Sequence, residues 1–157
     1  MISIIVASPC EDPGTGIAKK EDRTMKNSKV LNTILFFSGL IATGIGGAIL
    51  LTPVAFYATN GIELADNISL LNEIKAPGGA LLAIGLLIMS GAFVTALSFT
   101  SVVVSTLVYL SYGLSRILST AIDGVPAEGL VQAAIIEIGI GLISVFALVK
   151  YRDMHSD

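Results

Sequence analysis

Residues 77–122 form one apolar stretch whose only charged residue is Arg116. As a single straight α-helix it would reach roughly 69 Å, more than twice the roughly 30 Å hydrocarbon core of a bilayer. The stretch must therefore fold back on itself. Its most polar place is "SFTS" at residues 98–101, which predicts the turn there. About 21 residues then remain on each side, enough for one membrane span apiece.

Two more apolar runs flank this stretch. The first covers residues 30–51 and is closed by Thr52 and Pro53, since proline cannot continue a helical hydrogen-bond ladder. The last covers residues 126–149. Gly124 suits the end of the helix before it, and Pro126 and Glu128 suit a helical first turn. The expectation is an all-α fold, a four-helix transmembrane bundle. A short amphipathic segment, opening with Pro53 as its first residue, joins the first two helices, and Asn60-Gly61 marks a turn. Composition agrees: 54% of the 157 residues are hydrophobic and 13% charged, whereas a soluble domain is about a quarter charged. The length is that of one domain.

The N-terminus reads differently. Residues 1–24 have only a short apolar start with no basic residue before it, unlike a signal peptide. Met25, then Lys26 and Lys29, then the apolar run, looks like a membrane-protein start. Residues 1–24 are thus expected to be a disordered extension or a start-site artefact. Residues 25–150 form the four-span membrane domain, and residues 151–157 a polar cytoplasmic tail.

Charge sets direction. Lys26 and Lys29 precede the first span, and Lys150 and Arg152 follow the last. The connection between the first two spans has Lys75 against Glu63, Asp66 and Glu73; the last connection has Asp123 and Glu128. The positive-inside rule then places both termini in the cytoplasm, and four spans agree in putting both on the same side. The expected location is the cell inner (plasma) membrane.

Several function classes fall away. No basic block interleaves with aromatic residues as a nucleic-acid surface would need, so no nucleic-acid partner is expected. A lone cysteine, Cys10, forms no intramolecular disulfide and no cysteine zinc site. The lone histidine, His155, lies in the polar tail. "EIGIG" at residues 137–141 sits in an apolar helix rather than after a strand, so it is no dinucleotide fingerprint. Neither a metal nor a cofactor is expected. Asn67-Ile-Ser matches a glycosylation acceptor on the predicted outer side.

Small residues recur in the spans. Gly39, Thr43 and Gly47 step by four on the first helix, and Gly91 and Thr95 on the second. Such spacing lets helices approach closely in lipid. It serves packing within the bundle, and it would also serve a homo-oligomer or a membrane partner subunit.

Polar residues on the third span also keep a helical step. Ser105, Tyr109, Tyr112, Arg116, Ser119 and Asp123 share one face. Arg116 lies about 10 Å inside the outer end of its helix, and Glu137 about 13 Å inside the same end of the next. Helical side chains lean toward their own N-terminus, so in antiparallel neighbours these two heads converge. A lone charge at such depth costs about 3 kcal/mol on insertion scales, and pairing relieves it. Lys75, near a helix N-terminus, has the wrong sign for the macrodipole and is expected against an acid, Glu73 or Asp123. The expected polar cluster in the outer half of the bundle is Glu73, Lys75, Tyr109, Tyr112, Arg116, Asp123 and Glu137.

Four pieces in order carry a family likeness: "TPVAFY", "NEIKAPGG", "YGLSRILSTAIDGVP" and "IIEIG". Across residues 28–150 the chain resembles small four-helix bacterial membrane proteins grouped as a domain of unknown function, themselves distantly DoxX-like. That family usually carries arginine where this chain has Lys75. The resemblance implies fold and topology and brings no reaction.

Two readings of the cluster follow. In the first it is structural: the ion pair fixes helix register in an accessory membrane protein. In the alternative it holds a lipid or a quinone-like amphipathic molecule. A proton or ion path is disfavoured because the inner halves of the spans carry no ionisable relay. Catalysis is disfavoured because no nucleophile–base pair, metal set or phosphate loop is present, so no catalytic residue is named.

Overall fold

The structure is a computed structural model that describes residues 13–64 and 67–153. The chain divides into two units, residues 1–30 and residues 31–157. Every regular element among the described residues is helical: α1 (Pro13–Leu51), α2 (Pro53–Ala58), α3 (Ile68–Ser90), α4 (Thr95–Asp123) and α5 (Glu128–Asp153). Residues 13–24, assigned above to an extension, have helical backbone within α1. Residues 1–12, Asp66 and His155 lie outside the described residues, as does Cys10.

Four segments are long and apolar enough to cross a membrane: Lys29–Leu51, Ile68–Ser90, Thr95–Asp123 and Glu128–Lys150. No more than 33% of the most apolar window of any span is buried inside the protein. Phe37, Leu107, Leu118, Ile136 and Phe146 all point outward. In water such surface would be a liability, whereas in hydrocarbon it is ordinary.

The fold-back is not at residues 98–101. It lies at residues 91–94, between the end of α3 and the start of α4. Two physical facts moved it. Helix α3 starts nine residues before Pro77, where the Asn67 side chain accepts from the amides of Ser69 and Leu70 and caps the first turn. The span therefore reaches full length sooner, with Pro77 inside it. The serines that looked like a turn are instead buried in α4, bonded to backbone across the fold-back. Ser98 donates to the Gly91 carbonyl at 2.8 Å and Ser101 to the Leu87 carbonyl at 2.9 Å. Gly91 and Thr95 consequently do not share a helix. At Gly91 α4 passes too close for a side chain, since a methyl there would strike the Ser101 side chain.

Two small cores hold the spans. Leu35 of α1, Ile88 of α3 and Val102 of α4 are essentially inaccessible, and a second cluster joins Ala42, Leu81 and Tyr109. Between α1 and α3 the backbones nearly touch. A Cβ on Gly39 would lie 2.7 Å from the Met89 Cβ, and one on Gly46 would lie 2.8 Å from the Gly78 carbonyl oxygen. Reciprocally, a Cβ on Gly85 would run into Thr43, and one on Gly78 would lie 2.6 Å from Ile49. The expected stripe of Gly39, Thr43 and Gly47 is thus corrected at its last member. Gly47 has only an ordinary contact to Leu82 at 3.6 Å. At 3.6 residues per turn, seven residues nearly complete two turns whereas eight overshoot the face, so Gly46 takes the position.

Candidate functional site

Helix α4 is the hub through which the spans are hydrogen-bonded together. Its polar residues recur every three or four positions, so they form a stripe along one side. Several of them find a partner on another helix or at the fold-back. Ser98 and Ser101 reach back toward α3. The hydroxyls of Ser105 and Ser144 of α5 meet at 3.0 Å, both fully buried. The Tyr109 hydroxyl donates to the backbone carbonyl of Ser38 on α1. Ser38 in turn donates to the Ile34 carbonyl at 2.8 Å, so its own hydroxyl is also satisfied. Buried hydroxyls without partners would each cost about 1–3 kcal/mol, which these bonds avoid.

Near the end of the stripe, Arg116 Nε donates to Glu137 Oε2 at 2.9 Å. Two glycines bring the helices close enough for this bridge. A Cβ on Gly113 would lie 2.6 Å from Ile138, and one on Gly141 the same distance from Leu110. Gly113 stands one turn before Arg116, and Gly141 one turn after Glu137. The pair therefore closes one end of a tight antiparallel contact whose far end is the pair of serines. The Glu137 side chain is 13% exposed and that of Arg116 32%. The pair is a salt bridge between neighbouring helices. Only Nε of the guanidinium is engaged; neither Nη group hydrogen-bonds to a described residue.

The other members of the expected cluster do not converge on this pair. Tyr109 is drawn to α1 instead. Tyr112, one turn before Arg116, is 39% exposed and its hydroxyl bonds to no described residue. Asp123 accepts from Ser119, its neighbour one turn away, at 3.0 Å. Glu73 and Lys75 are exposed on α3 and make no ion pair among the described residues, so the predicted bond from Lys75 to Glu73 or Asp123 is not formed. The reason is position. Because α3 starts at Ile68, Lys75 lies two turns inside the helix, where the terminal dipole has faded and makes no demand for an acid.

Sequence reasoning missed Ser38 and Ser144, which are single serines in apolar runs with no patterned neighbours. It misread Ser98 and Ser101 as turn residues. Their three- and four-residue spacing to Ser105 was the available signal. Chemically, the buried part of the stripe is a set of satisfied hydroxyls, and beyond it lies a neutral ion pair with spare donors. Among the described residues no three histidine, cysteine, aspartate or glutamate side chains stand together to hold a metal ion.

The family described as Domain of unknown function (DUF4345) matches residues 30–148. Those bounds take in the four spans almost entirely, with the whole α4 stripe and the ion pair. No curated protein and no solved structure matches the chain.

Proposed function

The chain belongs to the DUF4345 family, membership of which assigns no activity, and from that premise we propose an accessory, structural role for it as a multi-pass protein of a bacterial inner membrane, distantly DoxX-like. Both termini face the cytoplasm. Lys29 and Lys150 flank the outermost ends of the first and last spans, and the acids Glu63, Glu73, Asp123 and Glu128 collect at the other side. Helix α2 begins at Pro53, directly after the first span, and lies along the outer surface as the amphipathic connection.

One observation carries the structural reading. The only intramembrane arginine and the only intramembrane glutamate near it bond to each other, on neighbouring helices. Pairing of this kind specifies register between spans. A second reading, binding of a lipid or quinone-like amphiphile beside the pair, draws support from the Nη groups of Arg116, which bond to no described residue.

Native mass spectrometry of the gently purified protein separates the two. A co-purifying second subunit or a bare chain fits the accessory role; a retained lipid or quinone mass fits the ligand. Topology has its own test. Reporter fusions after Lys29 and after Lys150 read cytoplasmic, and one within residues 63–67 reads external. Opposite readings at the two ends would refute four spans.

A further inference from the structure

The depth and charge of the pair restrict what an amphiphile can offer it. Helix α4 has 29 residues, so it is about 44 Å long against a hydrocarbon core of about 30 Å. Centred in a bilayer, it projects about 7 Å beyond the core at each end. Arg116 stands seven residues before the end, about 10 Å along the axis, and so just inside the hydrocarbon border. Its side chain leans toward the N-terminus of α4, further into the core. Lipid phosphates lie outside that border, in the headgroup layer.

Charge points the same way. With Glu137 Oε2 at 2.9 Å, the guanidinium carries no uncompensated charge. An incoming phosphate would meet the carboxylate at nearly the same range as the cation. An uncharged acceptor meets no such opposition. The Nη groups offer several donors. The nearby Ser119 and Thr120 hydroxyls are already used, on Asp123 and on the Arg116 carbonyl.

We infer that the open side of the Arg116–Glu137 pair is a site for the neutral carbonyl oxygen of a membrane amphiphile, not for an anionic phosphate. This rests on the ligand reading above and names its chemistry. Two membrane components supply such an oxygen just inside the border: the acyl ester of a glycerolipid and the ring of a lipid-soluble quinone.

The test uses purified full-length protein in detergent, with thermal unfolding followed during titration by four probes. These are a diester phosphatidylcholine, its diether analogue, a diether phosphatidylglycerol and a decyl-substituted benzoquinone. The diether lipids keep the phosphate and lack the carbonyl. The expected result is an apparent Kd at least about tenfold tighter for the diester lipid or the benzoquinone than for either diether lipid, as for a hydrogen bond to a charged donor. A preference for the diester identifies the glycerolipid; a preference for the benzoquinone identifies the ring. The double variant Arg116→Leu/Glu137→Leu strands no charge and is expected to lose the preference. Binding of both the diester lipid and the benzoquinone no tighter than that of the diether lipids, tightest binding of diether phosphatidylglycerol, or a preference that survives in the double variant would each overturn the site. The comparison of the two carbonyl-bearing probes with the diether lipids needs no variant, so it decides even where the double variant does not fold. Failure of the pair itself is read separately. Leucine substitutions with independent, additive effects on stability remove the ion pair, whereas coupled effects without a carbonyl preference remove only the ligand.

Discussion

The contact of α1 with α3 and the contact of α4 with α5 solve one problem by different means. Both join antiparallel spans in a solvent where apolar surface gives helices no reason to leave lipid. The first does it with shape. Gly39, Gly46, Gly78 and Gly85 remove side chains so that backbone meets backbone, and dispersion over that area holds the pair. The second adds bonds whose alternative is an unsatisfied group in hydrocarbon: Ser105 with Ser144, and Arg116 with Glu137. Shape is intolerant of any addition but indifferent to charge. The bonded contact tolerates removal of both partners together and not of either alone.

Four sets of substitutions test that contrast, beginning with the largest effect. Arg116→Leu or Glu137→Leu alone strands a charge, and each is expected to cost about 3 kcal/mol, the low end for a buried pair because Arg116 retains some exposure. The double change should recover most of that loss in unfolding experiments in detergent or bicelles. Equal destabilisation by single and double variants would show that the bond does not distinguish this interface.

Next comes Gly85→Ala. The added methyl meets the backbone of Thr43 and Ala42 as well as the Thr43 hydroxyl, so α1 and α3 must separate, at a cost of about 2 kcal/mol. No second-site removal of a polar group should rescue it. A neutral result in the same unfolding assay would mean the backbones are not in contact.

A smaller loss is expected for Ser105→Ala, about 0.6 kcal/mol, the typical worth of a hydrogen bond between membrane helices. Ser105→Ala with Ser144→Ala should cost little more than either alone, since neither hydroxyl is then left seeking the other. Additive losses would contradict the bond.

The smallest effect belongs to Gly44→Ala. This glycine lies on α1 but has open space where its Cβ would be. Helix propensity alone then acts, and stability should be unchanged or rise by up to about 1 kcal/mol. A loss comparable to Gly85→Ala would show that the rotational setting of α1 is wrong.

The same contrast explains what the sequence could tell. Four spans, the Pro53 helix start and the convergence of Arg116 with Glu137 follow from run length, proline chemistry and side-chain lean. Those signals are local, or involve residues too costly to leave alone in lipid. The position of the fold-back was not legible, because a serine at a turn and a serine bonded inside a membrane helix look alike in composition. Nor was the identity of the contacting glycine, Gly46 rather than Gly47, which depends on which side of α1 faces α3. The wider cluster failed for a related reason. Tyr109 shares a face with Arg116, yet its long side chain reaches a carbonyl on α1. Periodicity on one helix does not say which neighbour each residue will meet.

The spacing of these bonds along the chain also orders events during synthesis. The two serine bonds across the fold-back span 7 and 14 residues, so α3 and α4 can close into a hairpin before anything later has been made. The Tyr109 carbonyl partner, 71 residues earlier, is already in the membrane by then. Arg116 is the exception, since its carboxylate comes 21 residues later. For the time needed to translate that interval, about one to four seconds at ordinary elongation rates, the arginine enters the bilayer unpaired. The early hairpin gives it somewhere to wait: α4 is already held on α3 and α1 when α5 arrives carrying Glu137.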